Sequence, residues 1–505
     1  NRIVILLSTI MLLGCGQREY FKNTDDKLTK EVDSYLGAIM ASRPIPGIAV
    51  GIVKGDRLIF SKGYGTRHLQ EGGDVVPEMV FHTASVSKTF VATAIMQLVE
   101  KGQIELDAPV TRYLPHFTLA DNRAQQITIG HLLSHTSGMA SDIEGGEWWK
   151  SPELDELALD RFVRSLSNRS LLSQPGEKWH YSNLAYEVLG DVIAKVSGKS
   201  FEEYIDSNIL KPLGMTNSTF LAYQGQPAML AWPHRGSLIP DVSTIYPYNR
   251  ARAPSSALKS NVPDLARWLA MNLNKGEVQG TKILSSSLLE KMWQSQAEVD
   301  GSEIEMGLGW FLREHRGSRM VVGPGTDPGF HSLIGFLPEH SVGVIVLMNY
   351  DGQSRMEAVE IADGILDIGL GRKPEIPSAS IAIPLAKVLA RSSIEATIDE
   401  YHRLKKAGDK RYKNGTSDLI TLGHELYKQQ RFAEALQLYS LNATEHPEYF
   451  YSYIAIAKTY LKMGDEKRAA EYYQQGIAHN PERWGCPPSC YQDEALEKLI
   501  KNNGH

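Results

Sequence analysis

Thr83-Ala84-Ser85-Val86-Ser87-Lys88 runs directly into Phe90, Val91, Ala94, Ile95, Leu98 and Val99, apolar residues at helical spacing, with Gly102 just past their end. The pattern predicts an amphipathic helix with a C-terminal stop, opened by a hydroxyl and an amine. A separation of three places Ser85 and Lys88 on one helix face, within side-chain reach. A serine in the first turn also lies beside backbone N–H groups and the positive end of the helix, which stabilise negative charge. Alone, Ser-x-x-Lys says little, because both residues are common and a solitary pair is usually a helix cap beside a solvated amine.

Upstream, Ile48 to Val53 and Leu58 to Ser61 flank Lys54-Gly55-Asp56-Arg57, which reads as a β-hairpin. Downstream come helices and long loops, including Gly130 to Gly138 and a second periodic helix from Leu184 to Val196. Strand character returns with Val342-Gly343-Val344-Ile345-Val346-Leu347-Met348, and Ser332 to Leu337 is its hairpin partner across Pro338-Glu339-His340-Ser341. Strands at both ends with helices between them imply one antiparallel sheet completed by distant segments, with a helical subdomain inserted.

A chain of 505 residues exceeds what one core usually serves, so two units are expected. Residues 31–370 form the first, and the proline-bearing stretch 371–384 (Pro374, Pro377, Pro384) reads as a linker. Residues 385–505 are helical and repetitive: His446-Pro447-Glu448 recurs as Asn480-Pro481-Glu482, a shift of 34 residues. The same shift carries Leu419 to Tyr453, Leu422 to Ile456, Gly423 to Ala457, Leu426 to Tyr460, Ala435 to Ala469 and Tyr439 to Tyr473. This all-α region resembles tetratricopeptide repeats, whose helix pairs bury a core only by stacking. Two clear copies are fewer than such an array needs, so either residues 385–407 add a degenerate flanking pair or the repeats lean on the first unit. The region is either a peptide- or protein-binding surface or a folded appendage.

Ile3 to Leu13 is an apolar run too short to span a bilayer, preceded by Arg2 and closing on small residues, the pattern of a secretion signal over residues 1–15. Leu12-Leu13-Gly14-Cys15 resembles a bacterial lipobox, which implies lipidation at Cys15; residues 16–30 then form a polar tether. The expected location is the bacterial cell envelope, on its periplasmic or extracytoplasmic face. Cys486 and Cys490 enclose Pro487-Pro488-Ser489 and either close a small disulfide loop or stay free thiols. The formal charge of −6, from 53 basic and 59 acidic residues, offers no field for a polyanion, so nucleic acid is not an expected partner.

Among chemistries, the chain has no Gly-x-Ser-x-Gly elbow and no His-Glu-x-x-His zinc motif. His131 and His135 share a helical spacing, but no third ligand is evident, so the pair reads as structural and no metal or cofactor is expected. Ser85 and Lys88 gain weight from Tyr181-Ser182-Asn183, which follows Gln174-Pro175-Gly176-Glu177-Lys178-Trp179 and precedes Leu184 to Gly190. Leu132-Leu133-Ser134-His135-Thr136-Ser137-Gly138-Met139 and Leu210-Lys211-Pro212-Leu213-Gly214-Met215 complete the set. Together these motifs strongly resemble the penicillin-recognising serine hydrolases: class C β-lactamases, D-alanyl-D-alanine peptidases and related esterases. The resemblance covers about residues 31–365 and implies an α/β (α+β) β-lactamase/transpeptidase-like sandwich with an inserted helical subdomain, its site between sheet and helical region.

Carried over residue by residue, the resemblance makes Ser85 the acylated nucleophile and Lys88 its amine partner. Tyr181 becomes the general base and later the proton donor, and Asn183 orients Lys88 and substrate. The Ser85 N–H is one oxyanion donor, with the other on a late strand. The third family motif is Lys-Thr-Gly or His-x-Gly; here the matching segment is Val322-Gly323-Pro324-Gly325-Thr326-Asp327-Pro328-Gly329-Phe330, with Gly323 at the place of the cation. Gly323, Gly325 and Thr326 are the expected substrate-strand residues. The missing cation argues against efficient action on penicillins or peptides ending in D-alanine, and His331, Arg250 and Arg252 are candidates to replace it. Trp148, Trp149, Trp232 and Tyr246 are candidates for an aromatic wall. The substrate is expected to be a small ester, amide or peptide; the alternative is a non-catalytic envelope module that uses this fold and the repeats to capture a peptide or protein.

Overall fold

The computed structural model describes residues 26–142, 147–299, 301–352, 356–479 and 493–503. The signal-like run, Cys15, most of the tether, Asn480-Pro481-Glu482, Cys486 and Cys490 lie outside the described residues. An eight-stranded antiparallel sheet is built, among the described residues, from β1 (Gly47–Lys54), β2 (Arg57–Gly65), β3 (Ala297–Glu298), β4 (Glu305–Met306), β5 (Phe311–His315), β6 (Ser318–Asp327), β7 (Phe330–Leu337) and β8 (Val342–Met348). Their spatial order is β2-β1-β8-β7-β6-β5-β4-β3. The early hairpin thus joins the late strands through β1 and β8, with Ile48 opposite Met348 and Ile52 opposite Val344.

β7 and β8 are buried along their whole length. Because side chains alternate across a strand, one apolar run serves two cores. Val344, Val346 and Met348 enter one, while Ile345 and Leu347 enter the other. Helix α1 (Asp26–Ser42) covers the first face; the second carries α2 (Ser87–Glu100), α3 (Asn183–Ser197) and α4 (Val262–Leu273); α5 (Glu357–Gly369) returns to the first. Gly51 admits α4 to the sheet, since a Cβ there would stand 2.6 Å from Val262. Arg43, just past α1, pairs with Glu357 and Glu360 of α5 at 3.3 and 2.8 Å and ties the outer helices together.

Two expectations change at the helices. α2 does not keep one face in water: Ser87 through Leu98 are all buried, the polar Lys88, Thr93 and Gln97 included, because the sheet lies on one side and α3 with the inserted segments encloses the others. Residues 26–30 of the expected tether belong to α1, where Leu28 packs against the core. The predicted helix over 184–196 is α3, capped by the Ser182 side chain accepting from the Ala185 N–H and stopped by Gly198 at φ 70°.

The C-terminal region is helix-rich: α6 (Ala382–Leu389), α7 (Ile394–Ala407), α8 (Asp418–Lys428), α9 (Phe432–Glu445), α10 (Phe450–Lys462), α11 (Glu466–Ala478) and α12 (Glu494–Asn503). Ala435 and Ala469, and Tyr439 and Tyr473, related by the 34-residue shift, are all buried. Small residues set the helix approach: a Cβ on Gly423 would stand 2.4 Å from the Tyr439 ring. The stretch read as a linker is only partly one. Ala379–Ser380 pairs with Tyr412–Lys413, and Ala379, Ile381, Ala382 and Ile383 lie in the helical core. Proline content suggested a linker, yet Pro384 sits in the first turn of α6, where its missing N–H costs nothing.

Leu238, from a loop of the sheet-bearing unit, is buried among Ala379, Leu385 and their neighbours. That side chain pegs the two regions together. Leu238→Ala is expected to cost about 2 to 5 kcal/mol of the packing it shares with the helical region. Limited proteolysis should then cut residues 371–378 faster than in the wild type; an unchanged cleavage rate would contradict the peg.

Candidate active site

Ser85 does not open α2 itself. It sits on a 3-10 turn, Ala84–Val86, between the short strand Phe81–His82 and α2, and Ala84 holds a left-handed backbone (φ 48°). Such a conformation in a non-glycine residue is strained and is kept only where surrounding contacts insist on it. Here the Thr83 N–H and Oγ1 both donate to the Leu258 carbonyl at 2.8 and 2.9 Å, and Ser87 Oγ donates to the Ala84 carbonyl at 2.6 Å.

One helical turn on, Lys88 is 3% exposed, and its Nζ donates to Ser85 Oγ at 3.0 Å, Asn183 Oδ1 at 2.8 Å and the Ser255 carbonyl at 2.8 Å. Tyr181 OH donates to Ser85 Oγ at 2.8 Å, and the Lys88 Nζ lies 5.0 Å from the Tyr181 ring centre. Ser85, Lys88, Tyr181 and Asn183, scattered over nearly a hundred residues of chain, therefore meet around one hydroxyl.

Behind this group lie residues to which the motifs gave no part in the site. His135, fully buried with a left-handed backbone, accepts the Ser182 N–H on Nδ1 at 3.0 Å and lays its ring 4.5 Å from that of Tyr181. Burial, reinforced by Lys88, holds it well below the usual histidine range, so it is a neutral brace. Asn183 Nδ2 donates to Asp142 at 3.3 Å, and Asp142 is bonded by Arg252. Glu187, one turn beyond Asn183 on α3, accepts from Ser255 Oγ at 2.5 Å. Its carboxyl is pushed up to about 7 by burial, which outweighs Arg252 Nε at 3.6 Å and the Ser255 bond. The Leu132 to Met139 and Leu184 to Gly190 segments contained His135 and Glu187 without assigning them a role in the site; nothing local marked Asp142, which reaches the site only through packing.

On the facing strand, a Cβ on Gly325 would stand 2.3 Å from the Thr83 carbonyl and 3.0 Å from the Ser85 nitrogen, so only glycine lets β6 pass this close. β6 turns into β7 through Pro328-Gly329, with Gly329 at φ 83°. Asp327 pairs with Phe330, Thr326 with His331 and Gly325 with Ser332. Antiparallel partners alternate between bonded and non-bonded pairs, and a two-residue turn closes on a bonded one. Thr326 is therefore non-bonded to β7, and its N–H points to the other edge of β6, beyond the last residue that β5 pairs, Val322.

Gly323 is buried instead of lining the cleft: a Cβ there would meet Thr89 at 2.9 Å and Ile334 at 3.2 Å. It lets the sheet lie against α2, so the place of the family cation is a packing position. The candidate replacements are engaged elsewhere: Arg250 Nε donates to Glu202 at 2.8 Å, Arg252 is held by Asp142, and His331 is 1% exposed within β7. Trp232, Tyr246, Phe330 and His82 pack on one another, with Tyr246 5.5 Å from Phe330 and 5.9 Å from Trp232. Trp148 and Trp149 pack edge to face at 5.3 Å.

His131 caps its own short helix, accepting the Thr128 N–H at 3.3 Å, and its role is separate from that of His135. Among the described residues, His116, Asp160 and Asp191 could approach one metal ion, but Lys195 at 2.6 Å and Arg164 at 2.7 Å already neutralise Asp160. A separate polar cleft of about 630 Å³ is lined by Thr326, Asp327, His331 and Asp351 together with Glu425 and Lys428 of α8, and Ser85, Lys88 and Tyr181 do not line it.

Residues 32–365 match the family described as Beta-lactamase. The chain belongs to this family. Beta-lactamase-family relatives include "Protein flp" of Staphylococcus aureus (strain MW2), 30% identical over 342 residues, covering 66% of this chain and 65% of that protein. The "Putative penicillin-binding protein PbpX" of Bacillus subtilis (strain 168) is 29% identical over 342 residues, 65% of this chain and 76% of that protein. The match thus spans about two thirds, 65%, of the Staphylococcus aureus relatives' length. Of solved structures, the octameric penicillin-binding protein homologue from Pyrococcus abyssi is 30% identical with a TM-score of 0.59, covering 72% of this chain and 81% of that one. EstCE1, a hydrolase with promiscuous acyltransferase activity, is 23% identical with a TM-score of 0.58 over 68% of this chain and 98% of its own; it shares the fold.

Glu187 gives a pH signature. Its carboxyl holds its proton in the folded protein up to about 7, against an ordinary value of 4.5, so the folded state binds more protons between these values. Its share of stability is complete below pH 4.5 and is lost as pH rises through about 7, a fall on the order of 3 kcal/mol. Denaturant melts at pH 5 and pH 8 should show this fall in the wild type and a smaller one in Glu187→Gln; equal pH dependence in the two would refute the assignment.

Proposed function

We propose that this beta-lactamase-family chain is a serine hydrolase that works through an acyl-enzyme on a small ester, amide or peptide. The observation that carries this is the convergence of Lys88 Nζ and Tyr181 OH on Ser85 Oγ at 3.0 and 2.8 Å. An ammonium has three N–H donors and no lone pair, and Lys88 has three acceptors in place. The phenol oxygen of Tyr181 is then the group that takes the serine proton: once the phenol has released its own proton to solvent, the bond between the two oxygens reverses, and Ser85 Oγ–H donates to the phenolate.

Ser85 Oγ attacks the acyl carbon, and the oxyanion is received by the Ser85 and Thr326 N–H groups. Tyr181 returns the proton to the leaving group. A water that gives its proton to Tyr181 then cleaves the ester at Ser85, which regains its own proton. With Gly323 buried and both arginines paired internally, the reading favours neutral acyl groups over substrates with a carboxylate beside the scissile bond, hence esters over penicillins. Family membership is consistent with an extracytoplasmic location, and the lipobox-like end supports an anchor at Cys15. For the helical region we propose tetratricopeptide-like repeats; its residues Glu425 and Lys428 line a cleft shared with Thr326, where a peptide or protein partner would lie.

The test is a fluorophosphonate probe together with p-nitrophenyl acetate and a chromogenic cephalosporin. Wild-type protein should label and turn over the ester, with the cephalosporin slower by at least about 100-fold, and Ser85→Ala should lower ester turnover by about 10³-fold or more. Wild-type labelling no greater than that of Ser85→Ala would sink the proposal, and with it the preference for a hydrolase over a non-catalytic binding module.

A further inference from the structure

Asp327 follows Thr326 at the end of β6 and takes no part in the proton transfers above. Its carboxylate, 13% exposed, stands where three chain segments meet. His82 Nε2 lies 2.6 Å from Asp327 Oδ2, and Ser256 Oγ donates to the same oxygen. His82 is on the strand that leads into the Ser85 turn. Ser256 follows Ser255, whose carbonyl takes one Lys88 N–H. Asp327 itself adjoins Thr326, the residue whose N–H is turned to the open edge of β6. One carboxylate oxygen thus joins the segment of the nucleophile, the segment that holds its amine and the strand that supplies the second N–H.

The histidine is suited to this use. Its side chain is fully enclosed, with Phe330 at 5.6 Å and Tyr246 at 6.1 Å from its ring, and Nδ1 has no partner. Burial lowers the basicity of the His82 ring; a neutral imidazole carries one N–H, and among the described residues the acceptor its ring meets is Asp327, so the proton sits on Nε2. Lys259, opposite His82 in the two-strand pairing, sends its Nζ to the Ala257 and Leu221 carbonyls at 3.1 and 3.2 Å, and so leaves the Asp327 oxygen to His82 and Ser256. Hydrogen bonds to an ionised carboxylate in a water-poor site are short and directional. An oxyanion site gains its effect only when its donors are already fixed at the right separation, within about 0.5 Å.

We propose that Asp327 is the positioning residue of the oxyanion site: by bonding His82 and Ser256 at once, it holds the Thr326 N–H at a fixed separation from the Ser85 N–H. The inference rests on the hydrolase reading above and assigns Asp327 no contact with substrate.

The experiment uses the full chain, p-nitrophenyl butyrate as substrate and phenylboronic acid as a probe that forms a tetrahedral adduct on serine. Asp327→Ala should lower kcat by about 100-fold while KM stays within about threefold, and should weaken boronate inhibition by a factor similar to the loss in kcat. Asp327→Asn, whose amide oxygen still accepts from His82 and Ser256, should recover at least about tenfold of that loss. Unchanged kcat in Asp327→Ala, or a fall in kcat with boronate affinity intact, would overturn the inference. If Asp327→Ala gives no cooperative melt, Ser256→Ala decides: about tenfold lower kcat at constant KM supports the clamp, and unchanged kcat refutes it. Wild-type turnover no higher than that of Ser85→Ala would instead defeat the hydrolase reading itself, and the clamp along with it.

Discussion

A buried amine sets the terms for the rest of this structure. Lys88 is almost wholly removed from water, and an ammonium so placed is tolerable only if each N–H finds an oxygen. The three it finds come from three places: the turn before α2, the start of α3 and the segment just before Lys259. Each must arrive within hydrogen-bond distance at once. Satisfying one charge therefore fixes how the central helix, the inserted helices and the loop behind them are assembled.

Much of the surrounding architecture meets that demand. The Ser182 cap starts α3 so that Asn183 faces the amine, and His135 supports the same junction by accepting the Ser182 N–H. Glu187 and Ser255 bond one another beneath the carbonyl that Lys88 uses. On the other side, Ser332 Oγ donates to the Thr83 carbonyl at 2.6 Å, tying β7 to the strained turn that presents Ser85. Glycine at 325 lets the sheet come close enough for that bond. Rigidity here comes from interlocking short hydrogen bonds in a dry interior, where each is stronger and its loss more costly than at a surface.

The helical region is joined to this unit in more than sequence. Leu238 is buried in its core, and Tyr350 OH donates to the Gly236 carbonyl at 2.6 Å to hold the loop that carries that leucine. Glu425 and Lys428 of the helical region share one cleft with Thr326 and His331 of the sheet-bearing unit.

Local pattern was enough to reveal the hairpins, the apolar strand β8, the periodic helix that is α3 and the 34-residue repetition, and an ordered set of family motifs singled out Ser85, Lys88, Tyr181 and Asn183, because each depends on neighbours within a few positions or on side-chain types placed in order. Long-range packing decided the remainder. α2 is buried all round and not on one face, since nothing in its own spacing tells how many layers cover it. Gly323 looked like the seat of a missing cation and is a contact with Thr89, a distinction that rests on which way β6 presents its faces. The stretch 379–384 belongs to a core because Tyr412–Lys413, some thirty residues on, pairs with it. His82, Asp327 and Ser256 share one hydrogen-bonded oxygen although the chain keeps them far apart. A sequence displays short-range order directly, but the desolvation and close approach that give a buried group its role exist only once distant segments have come together.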